Sequence, residues 1–168
     1  SSLAVKKRRI RVRKYFRFND AEFIPDKEFK KRMNPNGSFY IINEFLYDFP
    51  SLSSSLLKYK KHEWIIIGLE REQKVHTLWL NKGFDRESVS SYLSAEQIAN
   101  IGKKDNISSI LIFHNHPNTN PNQFDCSNPS QQDLISAREF SKVFNANGLN
   151  LIEFVCERGK HHEYFRST

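Results

Sequence analysis

Asn106-Ile107-Ser108-Ser109-Ile110-Leu111-Ile112-Phe113-His114-Asn115-His116-Pro117 is the stretch from which the fold is read. Residues 107–113 form a short, nearly continuous apolar run ended by polar residues and a proline. Such a run predicts a strand buried on both faces. Trp64-Ile65-Ile66-Ile67-Gly68-Leu69 has the same character. A strand buried on both faces needs a covering layer on each side, and the remaining segments supply candidates. Residues 50–61 predict a helix starting near Ser51, and residues 94–104 a helix opened by Ser94 as its cap. Residues 130–145 predict a third, with Leu134, Ile135, Phe140, Val143 and Phe144 as its apolar stripe and Asn147-Gly148 as its stop. Residues 39–42, 75–80, 149–155 and 162–165 read as further strands, and residues 70–73 as a polar turn. Strands and helices alternate, so the expected class is α/β, a central mixed sheet flanked by helices.

The chain has 168 residues, enough for one ordinary domain with a single core. Its net charge of +7 is unevenly spread: residues 1–32 carry twelve Lys/Arg against four Asp/Glu, and the remainder is close to neutral. We therefore divide the chain into a basic N-terminal extension, 1–45, and a main domain, 46–168. Within the extension, residues 9–18 alternate basic and apolar side chains, which suggests a half-exposed edge strand. An arm of this kind either aids solubility or meets nucleic acid or an acidic partner through residues 5–32. No apolar run approaches the ~18 residues needed to cross a bilayer. Two cysteines are too few for a disulfide framework, and the start lacks the apolar segment of a signal peptide, so the cytoplasm is the expected compartment. There is no P-loop, Gly-rich dinucleotide motif or Cys-x-x-Cys.

The chemistry gathers where the 107–113 strand ends. His114 and His116 are two apart, so on a strand both imidazoles point to one side and can meet one ion. Pro129-Ser130-Gln131-Gln132-Asp133 opens the next predicted helix. Ser-x-x-acid is a capping arrangement in its own right, yet a carboxylate in that first turn could also complete a site with the two histidines. Two nitrogens and one oxygen, with the fourth position open, form the pattern of a catalytic zinc. A zinc ion lowers the pKa of its water to about 7, and hydrolysis still needs a base to take the proton. Glu63, immediately before the 64–69 strand, is one candidate, with Glu70, Glu87 and Glu96 as rivals. Ser130 could aim its hydroxyl at a developing oxyanion if capping leaves it a proton to donate.

Glu, a long gap, His-x-His-Pro and then Ser-x-x-Asp resembles the signature of the JAMM/MPN-type zinc metalloproteases. The 106–117 segment, with His-Asn-His-Pro, looks most like their RadC-like bacterial branch. The resemblance covers roughly residues 50–168 and implies a cytidine-deaminase-like sheet layout. It implies His114, His116 and Asp133 as zinc ligands, Glu63 as general base and Ser130 as oxyanion helper. It further implies hydrolysis of an amide in a protein or peptide, with removal of a ubiquitin-like protein from conjugates as one form of that activity. The sequence departs from the family in an Asn/Pro-rich insertion before Ser130, within residues 117–129, where Asp125 and Cys126 could compete as ligands or cover the open position. The RadC-like branch also usually carries a helical N-terminal domain, and this chain has only the basic arm. The competing expectations are a nucleic-acid-associated module working through that arm, and a scaffold whose metal site the insertion blocks.

Overall fold

The structure is a computed structural model that describes residues 22–83, 89–117 and 127–167. Its chain runs α1 (Lys27–Arg32), β1 (Ser38–Phe45), α2 (Phe49–Leu57), β2 (Trp64–Arg71), β3 (Lys74–Lys82), α3 (Ala95–Lys104), β4 (Ser109–Asn115), α4 (Gln131–Ala146), β5 (Asn150–Glu157) and β6 (Lys160–Arg166). The strands form one six-stranded sheet in the order β1-β3-β2-β4-β5-β6. All neighbours are antiparallel except β4 and β5. The expected α/β class, a mixed sheet flanked by helices, is what the chain adopts.

The central runs behave as their composition dictates. Along β2, Trp64 and Ile66 enter one core, while Ile65, Ile67 and Leu69 enter the other. The first core also holds Phe29 of α1 with Phe49, Leu56 and Leu57 of α2. The second holds Ile98 and Ala99 of α3 with Phe144 of α4. Gly68 faces the first core, where a Cβ would lie 2.4 Å from the Phe49 ring. The missing side chain is what admits that ring, which is fully buried and meets Phe113 edge-on at 5.4 Å.

The single parallel pair places the chemistry. A parallel neighbour requires a crossover, and α4 provides it between β4 and β5. The chain leaves β4 at its C-terminal end, so the first turn of α4 returns over the end that carries the histidines. Such strand ends are where open α/β sheets hold ligands.

Several elements differ from expectation. The second helix spans Phe49–Leu57 and stops short of residue 61. The Lys30 ammonium donates to the carbonyls of Ser55 (2.9 Å) and Lys58 (2.6 Å), satisfying groups at that helix end, and Tyr59 turns to a φ of 69°. That lysine of the basic segment is therefore engaged within the fold. On α4 the buried residues are Ala137, Ser141 and Phe144, one stripe at helical spacing flanked by Phe140 and Val143, whereas Ile135 is 43% exposed. Its position lies outside the i, i+4, i+7 line that faces the sheet. Helix α1 was not anticipated, because it is six residues long and buries only Phe29. Strand β1 lies at the edge of the main sheet, paired with β3. The strand expected over 9–18 and the insertion residues Asp125 and Cys126 lie outside the described residues. Among the described residues no helix is long and apolar enough to cross a membrane.

Candidate metal centre

His114 sits near the end of β4, opposite Ile65 of β2 and Val155 of β5. Glu63 precedes Ile65 by two residues, so the strand period sets it on the same side as His114. His116 follows just past β4, its backbone N–H donating to the Cys156 carbonyl at 3.0 Å, which continues the β4–β5 pairing. Sheet register thus gathers Glu63, His114 and His116, whose ligand atoms all lie within 4.8 Å of one another. These three form a group able to hold a metal ion.

Asp133 joins them from α4. The Nε2 atoms of His114 and His116 are 3.0 Å apart, and Asp133 Oδ2 lies 3.1 Å from the first and 3.4 Å from the second. Donors held at about 2.0–2.1 Å by a tetrahedral zinc are separated by roughly 3.3 Å, so these spacings fit one ion. Glu63 Oε1 stands farther off, 3.7 Å from His116 Nε2. Both carboxylates border the imidazole pair, Asp133 at 3.4 Å and Glu63 at 3.7 Å from His116 Nε2.

The Ser130–Asp133 turn is a helix cap, and it also brings a carboxylate oxygen to the histidines. Asp133 N–H donates to Ser130 Oγ at 3.1 Å, and Ser130 N–H donates to Asp133 Oδ2 at 2.8 Å, a reciprocal capping box. The oxygen that faces the histidines is therefore also oriented by the helix end, as supported ligands are. Burial would raise the Asp133 carboxyl, but hydrogen bonds from His114 and His116, the His114 charge and the Ser130 N–H override it. The carboxyl is held well below the usual range. Ser130 Oγ accepts in the cap, and accepting does not consume the hydroxyl proton.

Of the rival bases, Glu70 lies at the other end of β2, seven residues or roughly 23 Å from Glu63. There it accepts from the Gln73 N–H at 2.9 Å and closes the β2–β3 turn. Glu96 lines the rim of the same cavity as the cluster, and Glu87 lies outside the described residues.

Two contributions escaped the sequence reading. Asn115, buried between the histidines, accepts from the Trp64 N–H at 2.6 Å and donates to the His62 carbonyl at 3.0 Å. Its amide takes the place of ladder bonds just where β2 and β4 part, and it grips both neighbours of Glu63. The other contribution is Glu153 of β5, buried, accepting from the Tyr164 hydroxyl at 2.7 Å. A lone acid inside the apolar run 149–155 was the available signal. Cys156, by contrast, is buried in the first core with its thiol pushed up to about 12 by desolvation, a packing residue rather than a nucleophile.

No protein-family model matches the chain, and no curated protein matches it.

Proposed function

We propose that this chain is a zinc-dependent hydrolase of the JAMM/MPN type, close to the RadC-like branch, that cleaves an amide or isopeptide bond in a protein or peptide. The observation that carries the reading is the mutual spacing of His114 Nε2, His116 Nε2 and Asp133 Oδ2, 3.0–3.4 Å on all three sides. Two imidazoles and one carboxylate are the donor set of a catalytic zinc, and among the described residues no thiolate joins them. A bound zinc would supply a nucleophilic water near neutral pH and polarise the scissile carbonyl.

The chain's own groups do the rest. Glu63, buried and held by its neighbours' bonds to Asn115, takes a proton from the nucleophile and returns it to the leaving amine. Ser130, at the exposed lip of α4, donates its hydroxyl proton to the oxygen that gains negative charge. The α4 N-terminus favours the same charge through its dipole.

The deciding experiment loads the full chain with zinc and assays cleavage of ubiquitin-like fusions beside Glu63→Gln. About one zinc per chain is expected in both, with chelator-sensitive cleavage in the wild type and none in the variant. A chain that takes up no zinc would refute the metal reading, and full activity in Glu63→Gln would refute the base.

A further inference from the structure

A cavity of about 550 Å³ opens beside the metal cluster, between the second core face of the sheet and helices α3 and α4. That size suits a side chain or small ligand. Its walls combine apolar side chains, Ile65, Leu93, Ile112 and Phe140 among them, with the hydroxyls of Ser90, Ser94 and Ser136. Its polar lining is one-sided: Glu63, Glu96, Asp133, Glu139 and Glu153 border it, and no lysine or arginine does among the described residues. In a chain of net charge +7 this is a local reversal of sign. A divalent ion at the cluster would still leave it acidic.

Glu153 distinguishes this cavity from a merely acidic cleft. It is only 4% exposed. Tyr164 holds its Oε1, while Oε2 is buried with no hydrogen-bond partner. A buried polar atom left so is costly, and a donor entering the cavity would relieve it. Glu153 is the register partner of Ile112, two residues before His114 on the same face. Glu153 therefore lies one strand repeat along and one strand across from His114, roughly 8 Å backbone to backbone.

We propose that this cavity takes a cationic side chain on an apolar stem, a lysine- or arginine-type group next to the bond to be cleaved, with Glu153 Oε2 as its charge partner. The proposal deepens the hydrolase reading and rests on it. The three or four methylenes of such a side chain reach roughly the distance between the cluster and Glu153, and their apolar length matches the walls. The exposed carboxylates Glu96 and Glu139 stand at the mouth and favour entry of positive charge. Burial lifts the Glu153 carboxyl to about 7, and Asp133 adds to the lift against the Tyr164 hydrogen bond. A bound cation stabilises the ionised form and so gains a full charge partner.

The test uses the zinc-loaded full chain and two probes, Nα-acetyl-lysine methylamide and its norleucine analogue, which shares the stem and lacks the charge. Binding is followed by chemical-shift titration, with zinc content measured on the same samples. The lysine probe is expected to bind at least ten-fold more tightly than the norleucine probe, and Glu153→Gln to erase the difference. Equal binding of the two probes to zinc-loaded wild type would overturn the proposal, as would an unchanged preference in a folded Glu153→Gln. Failure to load zinc would instead overturn the hydrolase reading beneath it.

Discussion

The Asn115 side-chain oxygen accepts the Trp64 backbone N–H at 2.6 Å across 51 residues of chain. With the partner bond to the His62 carbonyl, it ties the residue between the two histidines to both neighbours of Glu63. One amide thereby fixes the segment that carries His114 and His116 against the one that carries Glu63, bridging two strands at the point where their backbones stop pairing. A group held this way is preorganised by rigid elements, as transition-state chemistry requires.

Asn115→Ala is expected to lose roughly 1–3 kcal/mol of stability, since a buried N–H and a carbonyl lose their partners. Zinc content should be retained, because no ligand is touched, while turnover falls through a displaced Glu63. Urea unfolding, metal analysis and fusion cleavage on one preparation check the three outcomes.

Asp133 carries two duties that substitution separates. Asp133→Asn keeps an oxygen for the Ser130 N–H but gives up the charge that faces His114 and His116, so zinc affinity should fall at least ten-fold and metal-free stability at neutral pH should drop with the lost charge while the cap survives. Asp133→Ala should lose the metal and, in addition, about 0.5–2 kcal/mol of metal-free stability with its half of the cap. Equal metal-free stability in both variants would contradict the dual role.

Glu153 makes stability depend on pH in a stated direction. Its folded pKa, about 7, lies above the ordinary 4.5. A raised pKa means that the native state prefers the protonated carboxyl. The contribution is fully present below pH 4.5 and is lost as pH rises through 7, by on the order of 3 kcal/mol. Glu153→Gln cannot ionise, so its stability relative to the wild type should increase between pH 4.5 and 7.5. Urea unfolding of the metal-free proteins at both ends of that range measures it.

Gly68→Ala is expected to destabilise by about 1–3 kcal/mol, because its methyl would overlap the fully buried Phe49 ring. Phe49→Leu in the same chain should recover part of the loss. Thermal unfolding of the two single variants and the double variant would show the coupling.

Zinc should raise the melting temperature of the wild type in proportion to the logarithm of its free concentration, and a chelator should reverse the shift. Variants lacking His114 or His116 should show neither response. A calorimetric scan with and without metal decides it.

What the sequence determined by itself was the class of the fold, together with a histidine pair and a glutamate whose ligand atoms the structure brings within reach of one another. Apolar runs at 64–69 and 107–113 fit strands covered on both sides, and His-x-His at the end of one of them can present two imidazoles together. Those facts follow from local periods, two for a strand and 3.6 for a helix, which the order of residues contains. Helix ends and faces were less legible: Lys30 capping α2, or Ile135 turned to solvent, depends on what stands opposite. Only the tertiary structure shows which glutamate stands near the histidines, since the pairing with β4 puts Glu63 beside His116 and Glu70 at a distant turn. It alone brought Asp133 back over the histidines, through the crossover that the parallel β4–β5 pair demands. The clamp of Asn115 and the buried carboxyl of Glu153 belong to the same category. A side-chain hydrogen bond between residues 51 apart leaves no period in a sequence, because its partner is specified by register and not by neighbours.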